Sequence, residues 1–452
     1  MYLYAGITQE QIATILNISR STVSRKITEC RQHLNDSFVP VYLGNFLREQ
    51  IRAEQSNISR VLNCVKEGDD TLITIWDGTY LFLHKSLNFR FQRQTFGGQK
   101  KRNYVKPMIV TTTNGLILEV LGPDELYAGN VSDADILKNI IKTDFFKKLF
   151  KPGDIFILDR GFERVKDDLE ALGFKVTIPC LKRDNSQLTT LEANQSRVCT
   201  KQRWVVEVVN SSLKRFKYLR SVIPSQSYPY LYTDVRIAAA IHNNFFQRLY
   251  SDEDDSSVAT CMLANLEKEN ILQKVVECES LVRKYKNFEK LSEAHLQDFP
   301  IWESSDFKPF CGTYQLSLAR SYIGDHLYSG KYEFQVCKDS YMPSFSNYGF
   351  TVKKSQFLKC KLLSRHKSNK VYSIFILIDL KKRSSESIIG NYCTCKNGAR
   401  TIGTCAHIIA IIWYLGYGRY QQNFKGPSDF LNRCFPLGKP SSVETDEEED
   451  DE

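Results

Sequence analysis

The chain has 452 residues, 42% of them hydrophobic and 25% charged, with a formal net charge of +9. That length exceeds one ordinary hydrophobic core and the balance is that of soluble globular domains, so roughly two to four domains are expected and disorder over most of the chain is excluded. Eight acids fall in the last ten residues, Val443 to Glu452, which leaves the remainder strongly basic and suited to a densely anionic partner.

No apolar run of about 18 residues occurs and the N-terminus lacks the basic-then-apolar pattern of a signal peptide, so an intracellular chain with no membrane partner is expected. Thirteen cysteines are scattered along the chain except for one tight group near the C-terminus. In a reducing compartment such a group points to metal.

Residues 1–36 are expected to form an all-α unit. Thr8 with Gln11 three places on reads as a capping box, and Ile12, Ile15 and Leu16 fall on one face of the helix that follows. After the turn Asn17-Ile18-Ser19, a second helix from Arg20 turns Val23 and Ile27 inward and Ser21, Thr22, Ser24, Arg25 and Lys26 outward. Two short helices about a tight turn resemble a helix-turn-helix, whose second helix enters the DNA major groove; a plain helical hairpin gives the same spacing. Met1 lies close to the first motif helix, so the support helix that ordinarily precedes it is expected to be absent.

Residues 37–70 read as a linker and helix, and 71–250 as a mixed α/β domain. Thr71 to Tyr80 is a β-branched and aromatic run ending in Asp77-Gly78. Lys106 to Thr113 and Leu116 to Leu121 form a hairpin about Asn114-Gly115, which supplies the positive φ angles of a tight turn. A helix over Ser132 to Phe150, a buried strand Ile155 to Leu158, a helix near Val165 to Leu172, a strand near Phe174 to Ile178 and helices over Arg203 to Leu219 and Thr233 to Arg248 complete the ribonuclease-H-like order. Ser251 to Ser257 is a polar linker within an acidic and helical segment, 251–304. Residues 305–435 contain short β-like runs such as Val371 to Leu380 and form a small α+β module, and 436–452 is an acidic tail expected to be disordered.

Two-metal phosphodiester chemistry needs hard oxygen ligands from separate chain segments. Asp77 and Asp159 each terminate an apolar strand, while Arg203, Glu207, Asn210 and Lys214 recur at helical spacing on one face. Asp133 and Asp135 compete for the second position, though Ser132-Asp133 also reads as a helix start. Singly, Asp77 can be a turn residue, Asp159 a helix cap and Glu207 a partner of Arg203; together in this order they read as a metal site. Arg203, Lys214 and the run Lys100-Lys101-Arg102 are candidates for phosphate contacts.

The segments Trp76-Asp77-Gly78-Thr79, Gly129 to Asp133, Gly153 to Phe162, Arg203 to Asn210 with Leu213-Lys214, and Ile241-His242-Asn243 resemble the successive motifs of Harbinger-type DDE transposases, over roughly Leu72 to Phe246. The resemblance implies that fold, Asp77, Asp159 and Glu207 as catalytic triad, and two magnesium (or manganese) ions. It further implies double-stranded DNA partners in the form of transposon terminal repeats and target DNA, a homo-oligomer holding two ends, an accessory DNA-binding protein, and a nuclear location. Phe162 stands where the family often has tyrosine.

Cys393-Thr394-Cys395 and Cys405-Ala406-His407 offer three sulfurs and one nitrogen, the number that closes a tetrahedral zinc shell. Lys396-Asn397-Gly398 permits the chain to turn back, and Ile408 onward continues as a helix. The spacing resembles the SWIM zinc finger and implies one structural zinc ion. Cys311, Cys337, Cys360 and Cys434 read as core residues. Together these observations lead to a DNA transposase or endonuclease; the alternative is a catalytically silent DNA-binding or chromatin protein derived from one.

Overall fold

The structure is a computed structural model describing residues 1–122, 126–182, 186–249, 256–291, 296, 298–327, 332–350, 355–365 and 370–421. Residues 251–255 of the polar linker, Cys434 and the acidic tail lie outside the described residues. The chain divides into two compact units, one of 1–181 and 195–264, the other of 182–194 and 265 onward.

In the first unit, Gln9–Leu16 (α1) and Arg20–His33 (α2) form the helical pair, preceded by a single turn, Tyr2–Ala5. The Thr8/Gln11 capping box is present, and Ser19 caps α2 by accepting from the Thr22 N–H. Ile12, Ala13 and Val23 are buried with Ile27 against them, but Ile15 and Leu16 are exposed, contrary to the expected apolar face. The small core of this hairpin closes over Ile12 and Ala13, and Asn17 in the left-handed region ends α1 just beyond them. The other end of α2 is fixed by Arg31, whose Nε and Nη2 donate to the Asp234 carboxylate at 2.7 and 3.1 Å.

The central sheet comprises β1 (Ile73–Gly78), β2 (Met108–Thr111), β3 (Ile117–Leu121), β4 (Ile155–Ile157) and β5 (Lys175–Thr177), in the order β3-β2-β1-β4-β5. β2 runs antiparallel to its neighbours, while β4 and β5 run parallel to β1. Ile73 and Ile75 face a core shared with Thr190–Leu213 (α3) and Tyr228–Phe245 (α4), and Trp76 and Phe156 face an aromatic core with Phe146, Phe150 and Phe174. Helices thus cover both faces, as parallel strands require.

Several elements differ from expectation for local reasons. In the hairpin the positive φ belongs to Gly115 alone, at 92°, and the ladder shifts register between Val110 and Thr111, so the loop carries a bulge in place of a two-residue turn. The helix expected over 132–150 is two, Asp133–Ile140 and Asp144–Leu149, because Thr143 caps the second. α3 begins well before Arg203 and stops at Leu213, and strand Phe288–Leu291 lies in the segment read as helical.

Asp154, almost fully buried, anchors the start of β4. Its carboxylate accepts from Leu72 N at 2.9 Å, from Lys151 N at 2.8 Å and from both Arg48 Nη atoms at 2.9 Å. At edge strand β3 the Asn243 side chain acts as a surrogate strand: its Oδ1 accepts from Ile117 N at 2.9 Å and its Nδ2 donates to Ile117 O at 2.7 Å.

The second unit is an antiparallel meander, β6 (Phe288–Leu291), β7 (Tyr332–Cys337), β8 (Ser355–Leu363), β9 (Val371–Asp379) and β10 (Ile388–Cys393), ordered in space as in sequence. One face packs on Ile271–Cys278 and the other on the apolar helix Ala406–Gly416 (α5). Among the described residues no helix is long and apolar enough to cross a membrane.

Candidate active site and metal centre

Ile75 pairs with Ile157 across the parallel β1/β4 ladder, so two residues further along each strand Asp77 comes opposite Asp159. Alternation puts Asp77 on the face of Ile73 and Ile75, against which α3 packs. From α3, Asn210 Nδ2 donates to Asp77 Oδ2 at 2.8 Å, and Arg203 Nη2 stands 3.8 Å from Asp77 Oδ1 and 3.3 Å from Glu207 Oε1.

The local roles foreseen for two acids are realised as well. Asp159 Oδ1 accepts from Gly161 N at 2.7 Å and caps the short turn Arg160–Val165, and Glu207, 60% exposed, pairs with Arg203. Among the described residues, the group placed to hold a metal ion is the cysteine/histidine cluster, whose donor atoms all lie within 4.8 Å of one another; the three carboxylates do not form such a group, and the Arg203 guanidinium lies between Asp77 and Glu207.

A further acid completes the surroundings. A Cβ on Gly78 would lie 3.0 Å from Asp133 Oδ1, and one on Gly161 would lie 3.3 Å from Asp133 Oδ2, so the Asp133 carboxylate borders both strand ends. Asp133 is at once the first residue of its helix and part of this acidic site, paired at 3.1 Å with the buried Lys106. Asp135 instead bonds its own cap, Ser132. Burial pushes the Asp77 carboxyl up to about 7, with Asp159, Asp133 and Glu207 adding to the rise and Arg203 opposing it. Burial raises Asp159 too, against Arg203 and the Gly161 N–H. Asp77, Asp159, Asp133 and Glu207 thus share one site with the cations Arg203, Arg160 and Lys106.

Arg203, expected on phosphate, is mostly buried between carboxylates, and its Nε together with Asn210 Oδ1 has no hydrogen-bond partner. Lys214 is lowered by burial, opposed by the nearby Asp77 and reinforced by the like charge of Lys100, which puts it beside the same site. Lys106 was the residue least visible in sequence; the available signal was a lysine embedded in the apolar run Tyr104 to Val110, a placement that demands a buried partner.

On α2, Ser21, Arg25 and Lys26 are exposed and Thr22 and Ser24 half-buried. Arg25 and Lys26 both pair with Glu29, while Ser21 and Thr22 hydroxyls lie 2.9 and 2.8 Å from Ser19 Oγ.

In the second unit Cys393, Cys395, Cys405 and His407 converge, with His407 Nδ1 3.8 Å from both Cys393 Sγ and Cys405 Sγ. β10 delivers the first pair, and Gly398 N donates to Cys395 O at 2.9 Å to close the turn. A Cβ at Gly398 would lie 1.9 Å from Cys393 O, so no other residue fits. Cys405 immediately precedes α5, whose first turn presents His407. The other ring nitrogen, Nε2, lies 3.0 Å from Tyr322 Oη, and Gln187 Nε2 donates to both Cys393 O and Cys395 O at 2.7 Å. Burial pushes the Cys393 thiol well up, whereas hydrogen bonds from Cys393, Cys395 and His407 overcome burial at Cys405 and hold it well below the ordinary thiol range.

Comparison with known families agrees with the two N-terminal regions. Residues 76–243 match the DDE superfamily endonuclease family, and residues 1–36 match Sigma-70, region 4. No curated protein and no solved structure matches. The chain is similar to a DDE transposase, with a mixed α/β endonuclease-type region preceded by a DNA-binding type of helical region.

Proposed function

We propose that the protein is a Harbinger-type DDE transposase that cleaves and rejoins DNA phosphodiesters, with Asp77, Asp159 and Glu207 as its catalytic carboxylates. The observation that carries the reading is the β1/β4 register, which sets Asp77 opposite Asp159 beside the helix bearing Glu207. The strand order, with β2 alone reversed, supports a ribonuclease-H-like core.

The donor set fits hard divalent cations: oxygen ligands, an Asp77 carboxyl raised by burial and by the neighbouring acids, and an unpartnered Asn210 Oδ1 beside it. Two magnesium or manganese ions held by Asp77, Asp159 and Glu207 would supply electrostatic stabilisation of attacking and leaving oxygens. Asn210 orients the Asp77 carboxylate, and Arg203, on giving up its carboxylate partners to cations, is free to bind phosphate beside Lys214. Ser21, Thr22, Ser24, Arg25 and Lys26 are the base- and phosphate-reading set of α2. The cysteine/histidine cluster fits one structural zinc in a SWIM-type finger, with Tyr322 orienting His407. On this reading the partners are transposon terminal repeats and target DNA in the nucleus, a second copy of the chain and an accessory DNA-binding protein.

The test is cleavage of labelled element ends with purified protein and magnesium. Asp159→Ala should abolish cutting while DNA binding persists; cutting at the wild-type rate would remove the site assignment. A second reading, a catalytically silent DNA-binding or chromatin protein, is favoured by the Arg203 guanidinium lying between Asp77 and Glu207. Wild-type protein that binds ends but never nicks them would select it.

A further inference from the structure

Between Asp77 and Glu119 the chain has no acidic residue, yet it carries seven lysines and arginines. Six of these, Lys85, Arg90, Arg93, Lys100, Lys101 and Arg102, are exposed. The same segment presents the two most exposed large apolar side chains of the described residues, Leu87 at 98% and Phe89 at 83%. Exposure of that kind on a loose loop means little, but this tip is built.

Asn88 Oδ1 accepts from Phe91 N at 3.1 Å and caps the helix Phe89–Thr95. Asn103 Nδ2 then fastens that helix by donating to Gln92 O at 2.8 Å and to Thr95 Oγ1 at 2.9 Å. Upstream, His84 N donates to Ile223 O at 2.9 Å and Ser225 Oγ to His84 O at 2.9 Å. Phe91 turns inward against Tyr228, so the outward stance of Leu87 and Phe89 is not forced by lack of an interior to enter.

The far end of the same segment reaches the acidic site. Lys100 Nζ lies 5.3 Å from the centre of the Tyr80 ring, and Lys106, over the same ring at 5.8 Å, holds Asp133. A ligand engaging this surface must offer flat apolar faces closely flanked by anions, next to a centre suited to phosphodiesters. Unpaired or unstacked bases of a nucleic acid strand meet both demands, because the phosphates travel with the bases.

We infer that Leu87 and Phe89 form a wedge that stacks on unpaired bases of DNA beside the cleavage site, with the surrounding lysines and arginines on the flanking phosphates. The inference rests on the nucleic-acid reading above. A phosphate-binding patch alone would gain nothing from the two apolar tips, and a fully stacked duplex offers them no base face.

The test uses the full chain and two probes: a paired duplex, and the same duplex with a single-stranded flank bearing a fluorescent purine analogue at the junction. Phe89→Ala should weaken binding of the flanked probe by roughly 5- to 100-fold and abolish the analogue's change in emission, while paired-duplex affinity and melting temperature stay near wild type. Joint replacement of Lys100, Lys101 and Arg102 by glutamine should flatten the salt dependence for both probes, by roughly one unit of slope for each phosphate that is no longer neutralised. Equal binding of the flanked probe by Phe89→Ala and wild type overturns the wedge but leaves the nucleic-acid reading intact. Absence of salt-dependent binding of either probe by wild type removes both. Binding of phosphatidylserine vesicles that needs Phe89, with DNA binding indifferent to it, reassigns the tip to a lipid surface and also overturns the inference.

Discussion

Replacing Arg31 by methionine tests how firmly the helical pair is joined to the catalytic region. Arg31 and Asp234 are 10% and 2% exposed at their side chains, and the guanidinium makes two hydrogen bonds to the carboxylate while lying over Tyr230. Burial already raises the Asp234 carboxyl against the opposing bonds from Arg31. With the guanidinium gone the carboxyl takes up a proton, which at pH 7 costs about 1.4 kcal/mol for each pH unit above an unfolded value near 3.9, or about 4 kcal/mol. That figure falls within the roughly 3–5 kcal/mol expected for breaking a buried pair. Because the folded carboxyl is then raised, the loss is greatest at high pH and shrinks as pH falls, to about 1.5 kcal/mol at pH 5. Urea unfolding at both pH values measures this, and the double replacement Arg31→Met with Asp234→Leu should recover most of the stability. A loss under about 1 kcal/mol, or one equal at the two pH values, would refute the assignment of a buried, charge-dependent fastening.

Three further outcomes are expected. Gly398→Ala should destroy zinc retention, read by metal content after dialysis, because its methyl would overlap the Cys393 carbonyl. Zinc uptake by metal-free protein near pH 7 should release roughly two protons per ion, measured with a pH indicator, since Cys393 and Cys395 are held as thiols while Cys405 is already low. Burial, reinforced by Arg248 and Arg215, depresses His242 to about 4, so its contribution to stability is present above pH 6.5 and is lost as pH falls toward 4; His242→Phe should remove up to about 3 kcal/mol of that pH dependence in urea titrations.

The sequence was most legible where a pattern is local. The capping box at Thr8, the strand ending at Asp77, the turn at Gly398 and the start of α5 each follow from short-range chemistry and lie where expected. What stayed hidden depends on packing between distant segments. Arg203 spaced four residues from Glu207 reads as a surface phosphate ligand, but helix packing buries it against Asp77. For Asp133 the sequence left a site acid and a helix start as alternatives, and only the closeness of Gly78 and Gly161 shows that it is both. Ile15 and Leu16 match helical periodicity and still face solvent, because the interior they were expected to reach is filled by Ala13 and Val23.

The bond from Leu72 N to Asp154 has a bearing on chemistry far from itself. Leu72 and Asp154 each precede by five positions an acid of the candidate centre, so this clasp, together with the Ile155 N to Leu72 O bond and the ladder beyond it, holds the phase in which two strands run toward Asp77 and Asp159. A slip of one residue would rotate one acid onto the opposite side of the sheet. Damage at Asp154, about 17 Å upstream by strand rise, would therefore resemble an active-site lesion although no reacting group was touched.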